Sequence, residues 1–250
     1  MNILVNPAPS IVAEPAAANP QSLAPPNFNH LADIYRWLEY LSFGPLLWRC
    51  RIRFLPRLAF SRRALVLGDG DGRFTARLLR DNQSIQVHAI DSSPRMLDTL
   101  QRAATPHRSR LTTEVADLRH WHPAQSAPYD LIVTHFFLDC LTTGEIASLT
   151  RRLAPAIHAD ALWLVSEFAT PNTAFGRMIA APLVASLYRA FRLLTGLGPQ
   201  SLPNHAEALS KSGGMLECED RHICGLLVSQ LWRLQPLDAS DETQRASTPK

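Results

Sequence analysis

Ala64 to Asp91 reads ALVLGDGDGRFTARLLRDNQSIQVHAID, and this stretch decides the fold. The run Ala64-Leu65-Val66-Leu67 suits a strand buried on both faces. Glycines follow at alternate positions: Gly68, Gly70 and Gly72. Phe74 and Leu78, with Leu79 beside them, then fall at helical spacing. Ile85 to Ile90 is a second strand-like run, closed by Asp91. Strand, glycine turn, helix, strand and terminal carboxylate make one βαβ unit.

The residue types carry a chemistry. Glycine allows positive φ and lets a ligand approach the main chain with no Cβ in the way. A helix starting at the turn offers free N–H groups and the positive end of its dipole. A carboxylate at the tip of the next strand accepts from both hydroxyls of a ribose. Together these describe a pocket for an adenosine-containing cofactor.

Glycine spacing narrows the cofactor. The dinucleotide fingerprint G-x-G-x-x-G has a third glycine where this chain has Arg73. Asp69 and Asp71, read as projecting into the loop, repel a pyrophosphate but tolerate a sulfonium or ammonium group. On these residues the chain resembles the class I S-adenosylmethionine-dependent methyltransferases. Their first motif is an apolar strand, G-x-G-x-G, and an acid closing the second strand. The resemblance implies S-adenosyl-L-methionine as cofactor and a Rossmann-like, doubly wound α/β sheet of seven strands, mostly parallel with a C-terminal antiparallel hairpin. That family often has an acid two residues before the first glycine. Here Val66 stands there, and Asp69 is the residue placed to take over part of that role.

The remaining organisation follows in chain order. The 250 residues suffice for one substantial core. Residues 1–27 are cut up by prolines and lack a basic n-region, so they read as a disordered leader and not a signal peptide. Residues 28–60 form an N-terminal helical cover, 61–237 the S-adenosylmethionine-binding domain, and 238–250 a polar tail. Leu31, Ile34, Tyr35, Leu38 and Leu41 share one helical stripe. A short helix is expected from Leu46 to about Arg53. The resemblance puts Tyr35 near the methyl donor, with plain helix packing as the alternative.

Composition excludes more than it selects. Hydrophobic residues make up 46% and charged residues 19%, and the net charge of +3 is too small to argue for nucleic acid. Cys50, Cys140, Cys218 and Cys224 form no C-x-x-C pair, which fits reduced thiols in a cytoplasmic protein and no metal site. Arg49, Arg51, Arg53, Arg57, Arg62 and Arg63 fall in a stretch without any acid. That stretch is either a solvated basic face or a peripheral contact for an anionic membrane.

Beyond Asp91, Ser93-Pro94 opens a helix as cap and first turn, with Met96, Leu97 and Leu100 on its apolar face. Leu111 to Val115 reads as the third strand and Tyr129 to Thr134 as the fourth, ending in His135-Phe136-Phe137-Leu138-Asp139. Thr142-x-x-Glu145 is a capping box for a helix from Gly144 to about Ile157. Ala161 to Phe168 is the fifth strand, with Glu167 at its tip. A long apolar helical stretch covers 175–194, a short helix His205 to Ser212, and a hairpin pairs Met215–His222 with Gly225–Leu234.

By resemblance, Asp117, flanked by Ala116 and Leu118, receives the exocyclic amino group of adenine, and Met96 packs near the adenosine. Ser92 and Thr134 complete the expected cofactor contacts. His135, at the end of the fourth strand, is the candidate general base, or else a donor contact or strand cap. Asp139, Glu167 and His30 are weaker candidates. The acceptor expected is a small, partly apolar molecule, with no nucleic-acid partner. Two alternatives stay open: an NAD-dependent oxidoreductase, or a non-catalytic nucleoside-cofactor-binding protein at a membrane surface.

Overall fold

The computed structural model describes residues 45–124, 128–169 and 203–235. The helix expected at 28–43 with Tyr35 and His30, the stretch 175–194, the leader and the tail lie outside the described residues.

Seven strands form one sheet: β1 (Arg63–Leu67), β2 (Gln86–Asp91), β3 (Leu111–Val115), β4 (Tyr129–His135), β5 (Ile157–Phe168), β6 (Gly214–His222) and β7 (Leu227–Leu234). Their order is β3-β2-β1-β4-β5-β7-β6. β1 to β5 pair in parallel, and β7 runs antiparallel to both β5 and β6. The expected sheet with its C-terminal hairpin is therefore present.

Five α-helices are described: α1 (Pro45–Ile52), α2 (Arg73–Asp81), α3 (Pro94–Ala103), α4 (Thr143–Leu153) and α5 (His205–Lys211). The period of two in β1 explains the layering. Ala64 and Val66 face a core with Phe74, Leu78 and Leu79 of α2 and Leu100 of α3. Leu65 and Leu67 face the opposite core, with Ile146, Leu149 and Leu153 of α4 and Leu209 of α5. Both faces are covered, which is why the strand reads as an unbroken apolar run.

Side-chain caps start the helices where the sequence placed them. Ser93 Oγ accepts from Met96 N at 3.3 Å. Thr142 and Glu145 complete a capping box, Thr142 Oγ1 accepting from Glu145 N at 3.2 Å and Glu145 Oε2 accepting from Thr142 N at 2.7 Å. Such caps stabilise a helix by about 1 kcal/mol.

One boundary differs from expectation. α4 stops at Leu153, a 3-10 turn spans Ala154–Ala156, and β5 begins at Ile157 instead of Ala161. Pro155 within that turn cannot continue an α-helix. Ile157 then pairs with Tyr129, while Leu162 pairs with Leu131, so β5 holds a bulge containing Asp160 at φ +64°.

α1 packs across the ends of β5 and β7. Leu47 and Cys50 sit with Leu226 and Leu227, against Phe136, Phe168 and Ile223. Ser229 Oγ donates to the Cys50 carbonyl at 2.7 Å, and the Cys50 thiol lies 3.0 Å from Ser229 Oγ. The helix is thereby pinned at the carboxyl end of the parallel strands, where doubly wound sheets bind ligands.

Candidate active site

The three loop glycines all have positive φ: +67° at Gly68, +64° at Gly70 and +73° at Gly72. Their surroundings differ. A β-carbon on Gly72 would lie 2.5 Å from Leu100 Cα, so this glycine lets α2 and α3 pack closely. A β-carbon on Gly68 would lie 2.5 Å from the Phe137 ring. At Gly70 nothing among the described residues lies within 4 Å. Gly70 is therefore the glycine with open space for a ligand.

Asp91 faces that glycine. Its Oδ1 accepts from Ser93 N at 2.8 Å, and the N–H groups of Gly70 and Ser92 also bond its carboxylate. Burial outweighs these bonds and pushes the group up to about 6. Glycine turn and second-strand acid thus meet as the sequence predicts. Ser92 is exposed, and Met96 is half-buried on the first turn of α3.

Asp69 does not project into the loop as expected. It is 5% exposed, and its Oδ2 accepts from Thr75 N at 2.9 Å and Thr75 Oγ1 at 2.7 Å. Gly72 begins α2 without a capping side chain, so the free N–H groups of the first turn draw in the nearest carboxylate. Asp69 Oδ1 is left buried without a partner among the described residues. Burial pushes Asp69 up to about 6, with Arg51 and the Thr75 bonds pulling the other way. Asp71 pairs with Arg73 at 2.6 Å.

His135 is 3% exposed and packs edge-on against Phe74, ring centroids 4.3 Å apart. Both ring nitrogens are buried with no hydrogen-bond partner among the described residues. Burial, and then the nearby Arg51 charge, hold the ring well below the ordinary histidine range. Such an imidazole is neutral and a weak base. Thr134 points to the opposite face, where its Oγ1 accepts from Trp163 Nε1 at 3.0 Å. Its hydroxyl is therefore committed to the core.

At the third strand, Ala116 N donates to Asp91 O at 3.1 Å, joining the two strand tips. Asp117 is held by Arg119, with Nη2–Oδ2 at 2.9 Å and Nε–Oδ1 at 3.0 Å, and it accepts from Arg119 N at 3.0 Å. Burial works against the charge, but these bonds hold Asp117 below the usual carboxylate range. Leu118 is 4% exposed and belongs to the core, while its carbonyl accepts from Arg152 at 2.7 Å.

Four further residues shape the site. Arg51, one of six arginines read as a basic face, is 5% exposed, acts electrostatically on both Asp69 and His135, and lies 5.4 Å from the Phe136 ring centre. The sequence carries a trace of this, since Leu47, Cys50 and Arg51 fall on one helical face. Phe136 has φ +53° and lies 5.2 Å from the Phe168 ring. Phe137 covers Gly68, and Glu167 is fully buried beneath both. The other arginines of the stretch include Arg53, paired with Asp220, and Arg57, 3.8 Å from Glu217. Among the described residues, no group of three or more His, Cys, Asp or Glu is placed to hold a metal, and no helix is long and apolar enough to cross a membrane.

Fold and site define a doubly wound α/β protein whose glycine turn and second-strand acid meet at the carboxyl ends of the parallel strands. A family profile described as "Methyltransferase domain" matches residues 64–159. Solved structures similar to it include an O-methyltransferase family protein from Burkholderia thailandensis, at 15% identity and TM-score 0.62, covering 83% of this chain and 60% of that one. Mitomycin 7-O-methyltransferase MmcR is similar at 17% identity and TM-score 0.61, over 83% of this chain and 59% of its own. Magnesium protoporphyrin IX methyltransferase (ChlM) from Synechocystis PCC 6803, solved with bound S-adenosylhomocysteine, is similar at 16% identity and TM-score 0.61, over 83% and 96%. The chain thus spans about 60% of the length of the first of these and nearly all of the last. No curated protein matches the sequence.

Proposed function

We propose that this protein moves a methyl group from S-adenosylmethionine to a small, partly apolar acceptor. The observation that carries the reading is the open space at Gly70, with the Asp91 carboxylate bonded to its N–H. Orphaned buried atoms support the same ligand: Asp69 Oδ1 and both ring nitrogens of His135 need polar partners that the described protein does not supply.

The cofactor brings a methyl group activated on a sulfonium centre. The chain's own residues hold and orient it. Asp91 accepts from the ribose hydroxyls, and the Gly70 backbone admits the ligand without a steric cost. Asp69 is the acceptor for an ammonium group, standing in for the acid absent at Val66. Arg51 supplies positive charge for a carboxylate from the same side. His135 serves as a ligand-facing polar group; a depressed, buried ring is a poor base. Asp117, beside its Arg119 partner, remains the candidate for the adenine amino group, with Ala116, Leu118, Ser92 and Met96 around it. Positioning and exclusion of water then supply most of the catalysis.

The acceptor is read as small because Phe136 and Phe168 present an aromatic surface beside Arg51. The similar folds of mitomycin 7-O-methyltransferase and magnesium protoporphyrin IX methyltransferase agree with such an acceptor. A cytoplasmic location belongs to the same proposal and rests on the four free cysteines. Nothing observed favours the oxidoreductase. The ion pairs of Arg53 and Arg57 give the arginine stretch a structural account without a lipid surface.

Calorimetric titration with S-adenosylmethionine, S-adenosylhomocysteine and NAD, alongside Asp91→Ala, tests the reading. Micromolar binding of the first two, lost in the variant, is expected. Binding of NAD alone would overturn it. Turnover across a panel of phenols, amines and carboxylates separates an enzyme from a protein that only binds.

A further inference from the structure

We propose that Glu167 is a positioning residue for the cofactor pocket, its carboxyl clamping the loop that follows β4 against the end of β5. The assignment rests on the cofactor reading above.

Glu167 is fully buried at the penultimate position of β5. Its Oε1 accepts from Phe137 N at 3.0 Å and from Leu138 N at 2.8 Å. The preceding amide, Phe136 N, donates to Ser166 O at 2.7 Å. Three successive N–H groups of the loop are therefore tied to the tip of one strand. The left-handed φ of +53° at Phe136 costs an L-residue about 1–2 kcal/mol, which these bonds offset.

What the clamp holds bears directly on the site. Phe137 rests on Gly68, the first glycine of the cofactor loop, and Phe136 lies between Arg51 and Phe168. Loosening the loop thus moves a wall of the glycine turn and the support of the guanidinium together.

The charge state of the clamp follows from its neighbours. Burial first, and then the Asp139 carboxylate beside it, hold Glu167 well above the ordinary carboxylate range. Cys140 on the same loop and Cys50 on α1 also feel its charge, and Arg51 lies on the α1 side. In its neutral form Glu167 accepts through Oε1, and its side-chain hydrogen bond with Asp139 favours that form. Once it ionises, two carboxylates face each other in a dry site and repel. Glutamine at this position keeps an acceptor and a donor but has no proton to lose.

The test is amide hydrogen exchange of Phe137 and Leu138 in the cofactor-free protein, with S-adenosylhomocysteine affinity measured in parallel. Wild type, Glu167→Gln and Glu167→Ala are compared from about pH 6 to about pH 9.5, with exchange corrected for its intrinsic pH dependence. In wild type, protection of both amides and ligand affinity are expected to fall together, by about tenfold, toward alkaline pH. In Glu167→Gln both are expected to stay level across the range. Glu167→Ala is expected to lose protection at every pH. Identical pH dependence in wild type and Glu167→Gln would overturn the proposal, as would full protection in Glu167→Ala. If the amides behave as expected but the ligand binds at no pH, the clamp stands and the cofactor reading fails.

Discussion

The Phe137 ring lies against Gly68 so closely that a β-carbon on the glycine would fall 2.5 Å from ring atom Cδ2. Two residues further along the same loop, Gly70 meets nothing among the described residues within 4 Å. The two positions should therefore fail in different ways. Gly68→Ala combines a left-handed backbone with overpacking and is expected to lose roughly 2–4 kcal/mol of stability. Gly70→Ala bears only the backbone strain of about 1–2 kcal/mol, yet its new methyl group enters the ligand's space. Thermal denaturation with titration calorimetry checks the split: Gly68→Ala shows the larger fall in Tm, while Gly70→Ala shows a smaller fall in Tm but loses S-adenosylhomocysteine affinity by tenfold or more.

Asp91 sets a pH limit on binding. It sits at about 6 because of burial, and ribose hydroxyls need its ionised form as an acceptor. Affinity for S-adenosylhomocysteine is expected to weaken about tenfold per pH unit well below 6, an acid limb separate from the alkaline fall assigned to Glu167. Titrations across that range should show the limb, and Asp91→Asn should lack it while binding more weakly throughout.

Asp69 trades stability for function. Its folded-state pKa of about 6 stands above its ordinary value of 3.8, so the folded protein holds the proton more tightly than the unfolded chain. The resulting stabilisation is fully present below about pH 4 and is lost as pH rises through about 6. Asp69→Asn keeps an acceptor for Thr75 and removes the buried charge. At about pH 7.5 the cofactor-free variant is expected to melt higher than wild type, while its affinity for S-adenosylhomocysteine drops. A lower Tm for the variant would show that the charge is already compensated without ligand.

His135 is expected to hold the ligand without serving as a base. His135→Asn should raise the cofactor Kd and leave kcat within a few-fold. A general base would instead cost about 10²–10⁴ in kcat on removal. Wild-type kcat/KM should likewise show no histidine limb near pH 6.5, since the ring is neutral throughout that region.

Much of the sheet was readable because its signals are local. An apolar run, alternate glycines and a closing acid each act within a few residues, and they located β1, α2, β2 and Asp91. The capping residues Ser93 and Thr142 worked for the same reason. Arg51 was hidden because an arginine among arginines reads as solvated, and its burial depends on contacts with β5 and β7 far along the chain. Asp69 was misread because its destination, the first turn of α2, competes with the ligand for the same carboxylate. Phe137 on Gly68 and Glu167 under the loop are tertiary relationships with no periodicity to betray them. The early start of β5 was missed because a bulge breaks the pairing that the apolar pattern marks.

The bond from Ser229 to the carbonyl of Cys50 joins residues 179 apart in sequence. Arg51 is the very next residue, so a wall of the pocket near the amino end waits for the last strand to exist. During synthesis the ribosome must release nearly the whole described chain before α1 finds its seat. Until then Leu47 and Cys50 lack Leu226 and Leu227, the other buried members of their cluster. The hairpin β6–β7 is thus the closing step of assembly: competence to hold a ligand is expected to arrive late and all at once, in keeping with the slow folding of topologies rich in distant contacts.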